Sequence, residues 1–370
     1  MKILICASSD SSFNSIRPEG EIYIGLAERG HQVTIVTHDG TDYSKRYREH
    51  GITVISGHPQ KRFDRHYIKV IRETLLTSEA DIVYATNSRA IRHAVQACRS
   101  LSAALVTYRG TTGGLYWHDP TAWLSHMHPR VDGIICVSDA VRDDMRRQFW
   151  WSRRRRMRVV TVHKGHSLDW YTSPPADLRQ FGVPARAFPM ACVVNARPSK
   201  GVHVLLQATN ALAGNPQIHL LLVGKGMDQE PYQSLIAASP MRERIHLLGY
   251  RFDAPQIIAA CQVVVQPSVS GEGLPRTVME SMGYGTPVVA TSVGGAKEAI
   301  TDGVEGFIIP PERPDMIAER VLRLAAEPEL AERFATASRA RIGGPMSSSV
   351  TVAATERFFE SCIIQKRGSS

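Results

Sequence analysis

Short runs of aliphatic and β-branched residues recur through this chain, each parted from the next by a stretch of helical spacing. That alternation admits one broad class of fold, a parallel sheet covered by helices. In the first half the expected strands are Ile3–Ala7, Val33–Thr37, Thr53–Ser56, Ile82–Ala85, Ala104–Tyr108, Gly133–Val137 and Val159–Val162. The stretch PEGEIYIGLAERG joins the first two: Pro18 suits a first helical turn, Ile22 and Leu26 lie one turn apart, and Gly30 can close the helix.

The alternation is interrupted once. Residues 166–189 gather Trp170, Tyr171, Pro174, Pro175, Pro184 and Pro189 and read as a linker between domains. The pattern then resumes with Met190–Asn195, His219–Val223, Ile245–Leu248, Val263–Pro267, Pro287–Thr291 and Phe307–Ile309, separated by segments such as KGVHVLLQATNAL and PDMIAERVLRLAAEPELAERFATAS. A chain of 370 residues exceeds what one core usually supports. The expectation is therefore α/β, with two doubly wound, Rossmann-like domains, residues 1–165 and 190–345, facing across a cleft. Residues 346–370 hold a last amphipathic segment, Val350 to Ile363, expected as a helix that crosses back to the first domain, and a tail. Ligands bind such sheets at the carboxyl ends of the strands, so functional residues should follow strands directly.

Composition narrows the class of function. With 43% hydrophobic and 21% charged residues the chain is globular. Its opening MKILICASSD turns polar at Ser8, too soon for a secretory signal or a membrane span, and the expected location is the cytoplasm. Cys6, Cys98, Cys136, Cys192, Cys261 and Cys362 show no CxxC or CxxH spacing, which points to buried thiols and to neither disulfides nor a metal centre. A formal net charge of +9 draws the protein toward nucleic acid, a membrane surface or a phosphorylated substrate. Arg153, Arg154, Arg155, Arg156 and Arg158 come directly after Phe149, Trp150 and Trp151. That pattern suits an anionic membrane surface, a candidate partner at the inner membrane, and equally a solvated loop whose arginines face the carboxyl end of the helix expected over Asp139–Gln148. No RNA-reading aromatic motif is present, so nucleic acid is not an expected partner.

The residue pattern richest in chemistry is SVSGEGLPRTVMESMGYGTPVVATSVGG, after the strand Val263–Pro267. Gly271 and Gly273 flank Glu272 and let backbone amides approach a ligand. Pro275 can begin a helix, and its start, Leu274, Pro275, Arg276 and Thr277, would offer unpaired N–H groups and a partial positive charge to a diphosphate. Glu272 and Glu280, with seven residues between them, can accept hydrogen bonds from the hydroxyls that a nucleotide sugar presents. Arg197 and Lys200, in NARPSKG, follow another expected strand and suit a departing diphosphate. No DxD pair follows a strand, and no metal site is expected.

This segment closely resembles the donor-binding segment of family 4 glycosyltransferases, which have the GT-B fold and carry two glutamates at that spacing. The resemblance continues through ERGHQVTIVT, VSDAVRDDM, a degenerate VHKGHSLDW, ARPSKGVHVLLQA and LLLVGKG. It implies a metal-independent, retaining transfer of a sugar from a nucleotide-diphosphate donor to a glycan or lipid-linked acceptor, in surface polysaccharide or glycolipid biosynthesis. No cofactor is implied beyond the donor itself, which is a substrate. By the resemblance Glu272 meets the transferred sugar, Glu280 the ribose, and Arg197 and Lys200 the diphosphate. Base contacts come from the main chain around Gly249, Tyr250 and Arg251, with Gly224 in a G-x-G turn near the same site. Where the family carries a histidine after the strand Ala104–Tyr108, this chain has Arg109, leaving Arg109 or His118 for that role. Ser11, Ser12, Asn14 and Arg17, in the first loop, lie where acceptor contacts would be made and name no acceptor class. Epimerisation on the same fold would need acid–base carboxylates that the first domain does not offer. A basic, non-catalytic membrane- or nucleic-acid-binding protein of this fold leaves Glu272, Glu280 and their glycine frame unexplained.

Overall fold

A computed structural model describes residues 1–149 and 157–368. Trp150, Trp151 and Arg153 to Arg156, the core of the expected membrane segment, lie outside the described residues. The chain divides into two compact units, Met1–Lys164 with Ser348–Ser370, and Gly165–Ser347.

The first unit holds seven parallel strands, β1 (Lys2–Cys6), β2 (Gln32–Thr37), β3 (Thr53–Ser56), β4 (Ile82–Ala85), β5 (Ala104–Arg109), β6 (Gly133–Cys136) and β7 (Arg158–Thr161), in the order β3-β2-β1-β4-β5-β6-β7. Ile5 pairs with Ile35 on one side and Tyr84 on the other, and Ile3, Leu4, Ile5 and Cys6 are all buried, as a strand covered on both faces requires. The helices are α1 (Phe13–Glu28), α2 (Asp42–Glu49), α3 (Arg65–Thr77), α4 (Ser88–Ala97) and α5 (Asp139–Gln148). Helix α1 starts earlier than Pro18 suggested. Its first turn is set by the Ser12 carbonyl, which accepts from Ser15 N–H at 2.8 Å and Ile16 N–H at 3.2 Å, so Pro18 falls inside the helix and leaves the Asn14 carbonyl without its usual donor.

The second unit is a six-stranded parallel sheet of β8 (Phe188–Val193), β9 (Ile218–Val223), β10 (Ile245–Gly249), β11 (Val263–Gln266), β12 (Val288–Thr291) and β13 (Phe307–Ile309), ordered β10-β9-β8-β11-β12-β13. Around it lie α6 (Val202–Leu212), α7 (Tyr232–Ala237), α8 (Ala254–Ala260), α9 (Arg276–Tyr284), α10 (Ala296–Ala299), α11 (Pro314–Ala326) and α12 (Pro328–Gly343). Pro328 divides the last long helical stretch in two, because a proline accepts a first turn but not a continuing ladder. Residues 166–189, expected as a linker, pack within this unit: the Tyr171 ring meets Tyr284 edge-on at 5.0 Å, and Ala176 N–H donates to the Gln256 carbonyl at 3.0 Å.

The last helix, α13 (Ser348–Gly368), belongs to the first unit. Phe358, Phe359, Cys362 and Ile363 enter the core there, with the Phe359 ring edge-on to Tyr84 at 5.2 Å. All six cysteines are free and buried. In both sheets the strand order reverses beside the first strand, between β1 and β4 and between β8 and β11. Successive connections there leave on opposite faces, which opens a crevice at the carboxyl ends of the strands.

Candidate functional site

In the second unit, the segments that leave β8 and β11 meet at the switch point. After β8 the chain runs through exposed Arg197 into a 3-10 turn, Pro198–Lys200, that ends at Gly201 in the left-handed region at φ +67°. A Cβ at Gly201 would stand 1.9 Å from the Pro267 carbonyl oxygen, so only glycine lets the two loops touch through their backbones. Val269 N–H donates to the Ser199 carbonyl at 2.8 Å across the same junction. This close approach sets Lys200 Nζ 2.7 Å from Glu272 Oε1. The same oxygen accepts from Ser268 Oγ at 2.5 Å and from Gln266 Nε2 at 3.1 Å. Gln266, Ser268 and Glu272 are buried, whereas Lys200 is 26% exposed and can reach an incoming anion.

Helix α9 begins beside this cluster. Its first internal bond runs from Met279 N–H to the Pro275 carbonyl at 3.2 Å, so the N–H groups of Arg276, Thr277 and Val278 precede the ladder, and no side chain caps them. Thr277 Oγ1 donates to the Val193 carbonyl at 3.0 Å and ties the helix start to the end of β8. Gly273, just ahead, is held by its carbonyl, which accepts from Gly295 N–H at 2.6 Å, and Leu274 is half-buried. A helix start of this kind is electropositive and suits an anion.

Glu280 lies one turn further and is buried, with Oε1 3.3 Å from Arg276 Nε. Burial pushes its carboxyl up to about 7, and the exposed Arg276 guanidinium offsets only part of that. Near neutral pH it is therefore shared between acid and carboxylate, where the sequence pattern suggested a plain carboxylate.

Other residues singled out by sequence find different surroundings. Gly224, at φ +138°, has room for no Cβ because the Val194 carbonyl oxygen would lie 1.9 Å away, so packing of the β9 exit on the β8 exit already accounts for this glycine. Tyr250 is 44% exposed, with Lys225 Nζ 5.0 Å from its ring centre. Arg251 donates twice to the Asp253 carboxylate, at 2.8 and 2.7 Å, and its guanidinium is committed within its own turn.

In the first unit, Arg109 ends β5 and donates through Nη2 to the Gly113 carbonyl, while Gly113 N–H donates to Asp144 Oδ2 at 2.8 Å. Burial holds the Arg109 guanidinium below the ordinary arginine range, against the opposing pull of Asp144. His118 is exposed and stacks on Tyr116 at 5.5 Å. The buried imidazole of this region is His126, bonded to Thr107 Oγ1 at 2.9 Å and pushed down to about 3 by burial and then by Arg109. Sequence reasoning missed Gln266 and Ser268. The available signal was a lone amide closing the otherwise apolar run VVVQ.

Residues 21–170 match the family described as Glycosyltransferase Family 4, and residues 177–341 the family described as Glycosyl transferases group 1. The alpha-D-kanosaminyltransferase of Streptomyces kanamyceticus is 29% identical over 224 residues, 59% of this chain and 58% of that one. The phosphatidyl-myo-inositol mannosyltransferase of Mycobacterium leprae is 26% identical over 273 residues, 72% of this chain and 70% of that one. The chain thus spans 58% of the length of the first of these relatives. The crystal structure of Anabaena Alr3699/HepE in complex with UDP has the same fold, with a TM-score of 0.76 over 98% of this chain and 100% of that one at 23% identity. With one family match on each side of residue 170 and two parallel sheets of this strand order, the chain belongs to the family 4 glycosyltransferases of the GT-B fold.

Proposed function

We propose that this chain moves a sugar from a nucleotide-diphosphate donor to a glycan or lipid-linked acceptor, retaining anomeric configuration and using no divalent metal. The observation that carries the reading is the pairing of Lys200 with Glu272 across the β8/β11 switch point, beside the uncapped start of α9. It sets a cation, a carboxylate and unpaired N–H groups at the end of one sheet, and each has a task. As the bond from the anomeric carbon to the diphosphate oxygen breaks, charge grows on the diphosphate. Arg197, Lys200 and the backbone from Gly273 to Thr277 stabilise that charge. Glu272 accepts from hydroxyls of the transferred sugar, Glu280 from the ribose, and the turn at Tyr250 meets the base. The acceptor oxygen bonds to the anomeric carbon on the face the diphosphate leaves, and its proton passes to the departing phosphate. Arg109 is the candidate for assisting the phosphate or orienting an acidic acceptor, and Arg109 or His118 takes the place of the family's histidine.

The mannosyltransferase relative, named for phosphatidyl-myo-inositol, supports a lipid-linked acceptor; a place at the inner face of the cytoplasmic membrane is part of the proposal. Among the described residues no helix is long and apolar enough to cross a membrane. Thermal unfolding with UDP, GDP, ADP and TDP tests the donor reading. A bound nucleotide at one hundred times its Kd stabilises the fold by about 2.7 kcal/mol. A melting temperature unmoved by all four would overturn it.

A further inference from the structure

Glu272 Oε1 accepts from Lys200, Gln266 and Ser268, and of these three Lys200 carries a charge that a diphosphate would also attract. The other two come from the end of β11. Gln266, 3% exposed, donates from Nε2 to Glu272 Oε1 at 3.1 Å and to Ser268 Oγ at 2.9 Å. Ser268 Oγ accepts from that amide and donates onward to Glu272 Oε1 at 2.5 Å, so the three side chains form a chain with one direction. The end of β12 braces it: Thr291 Oγ1 donates to the Ser268 carbonyl at 2.5 Å.

This arrangement leaves a polar atom in deficit. Gln266 Oε1 is buried and has no hydrogen-bond partner among the described residues. A valine, like Val263, Val264 and Val265 before it, would complete the strand without that deficit. The amide group therefore does something the strand does not need.

We propose that Gln266 is a positioning residue, holding Glu272 directly and through Ser268 in the orientation that meets the transferred sugar. With these two neutral donors in place, the carboxylate keeps its orientation when Lys200 turns toward the diphosphate. A cation at position 266 would be drawn to the diphosphate as well, whereas an amide is not. The inference rests on reading the second unit as the donor site.

The test uses the full chain, with UDP and UDP-glucose, and GDP and GDP-mannose, as probes. Affinities are measured by calorimetry and donor hydrolysis by product release, for wild type, Gln266→Leu, Ser268→Ala, Glu272→Ala and the double variant Gln266→Leu/Glu272→Ala. The free nucleotide lacks the sugar, so its affinity should stay within about twofold of wild type in Gln266→Leu, which also reports an intact second unit. Hydrolysis kcat should fall about tenfold or more in Gln266→Leu and in Ser268→Ala, and Gln266→Leu should add nothing once Glu272 is gone. Wild-type kcat in Gln266→Leu, or an equal loss with and without Glu272, would overturn the inference and leave the donor site standing. If Gln266→Leu loses nucleotide binding through misfolding, Ser268→Ala decides by the same criteria. Wild type that binds none of UDP, GDP, ADP and TDP would overturn the donor-site reading, and this inference with it.

Discussion

Replacing Glu280 by glutamine removes a titration that the fold itself creates. The carboxyl moves from an ordinary value of 4.5 to about 7 on burial, so between those pH values the native state keeps a proton that the unfolded chain has released. Stability then falls as pH rises through this window and levels off above it, the opposite of the usual salt-bridged carboxylate. At 1.36 kcal/mol per pH unit the whole loss is about 3 kcal/mol, a large part of the stability of an ordinary domain. Urea unfolding of wild type and Glu280→Gln at half-unit steps from pH 4.5 to 8 measures it, and the difference between the two curves isolates this group from every other titration. Nucleotide binding runs the other way. A ribose hydroxyl donates more strongly to the carboxylate than to the carbonyl oxygen of the acid, so nucleotide affinity should weaken by up to about tenfold from pH 8 to pH 6 in wild type, a loss that Glu280→Gln should not share. Parallel stability curves for the two proteins would refute the reasoning, because they would mean that Glu280 is already ionised in the fold.

Arg197→Ala and Lys200→Ala should each cut turnover about a hundredfold or more, measured as sugar transfer or donor hydrolysis, while wild-type activity survives EDTA; collapse in chelator with recovery on Mg²⁺ or Mn²⁺ would contradict the metal-free reading. Glu272→Ala should lower kcat with little change in free-nucleotide affinity, and an equal loss of both would move Glu272 away from the sugar. Phe359→Ala should destabilise the first unit by about 3–5 kcal/mol in urea unfolding, since the ring is fully buried against Tyr84; a cost below 1 kcal/mol would mean that α13 is not part of that core. Sedimentation with anionic vesicles should fall when Arg153 to Arg156 are changed to Ser or when Trp150 and Trp151 are, and equal, low binding by wild type and both variants at physiological salt would exclude that segment as an anchor.

The order of strands and helices was legible in the sequence because a strand buried on both faces must be nearly all apolar, and runs such as KILIC and VVVQ cannot be mistaken for the amphipathic stretches between them. That Arg197, Lys200 and Glu272 would fall just after strands, with Glu280 in the helix that follows, was legible for a related reason: the apolar runs end where these segments begin, and glycines there mark close backbone approach. The sequence alone also determined that the last segment would be helical. Only the tertiary structure decided the rest. Helix α1 reaches back past Pro18 because its first turn is set by the carbonyl of Ser12, a backbone group with no trace in the residue pattern. Residues 166–189 join the second unit because Tyr171 finds Tyr284, more than a hundred residues away. Gly224 answers to the Val194 carbonyl, and Arg251 turns to Asp253. Glu280 holds its proton to about 7 because burial withdraws water from its carboxyl, and that depends on depth. The orientation of Glu272 is likewise a product of folding, since Lys200 comes from the loop after one strand and Gln266 from the end of its neighbour, and only the pairing of β8 with β11 brings them to the same oxygen.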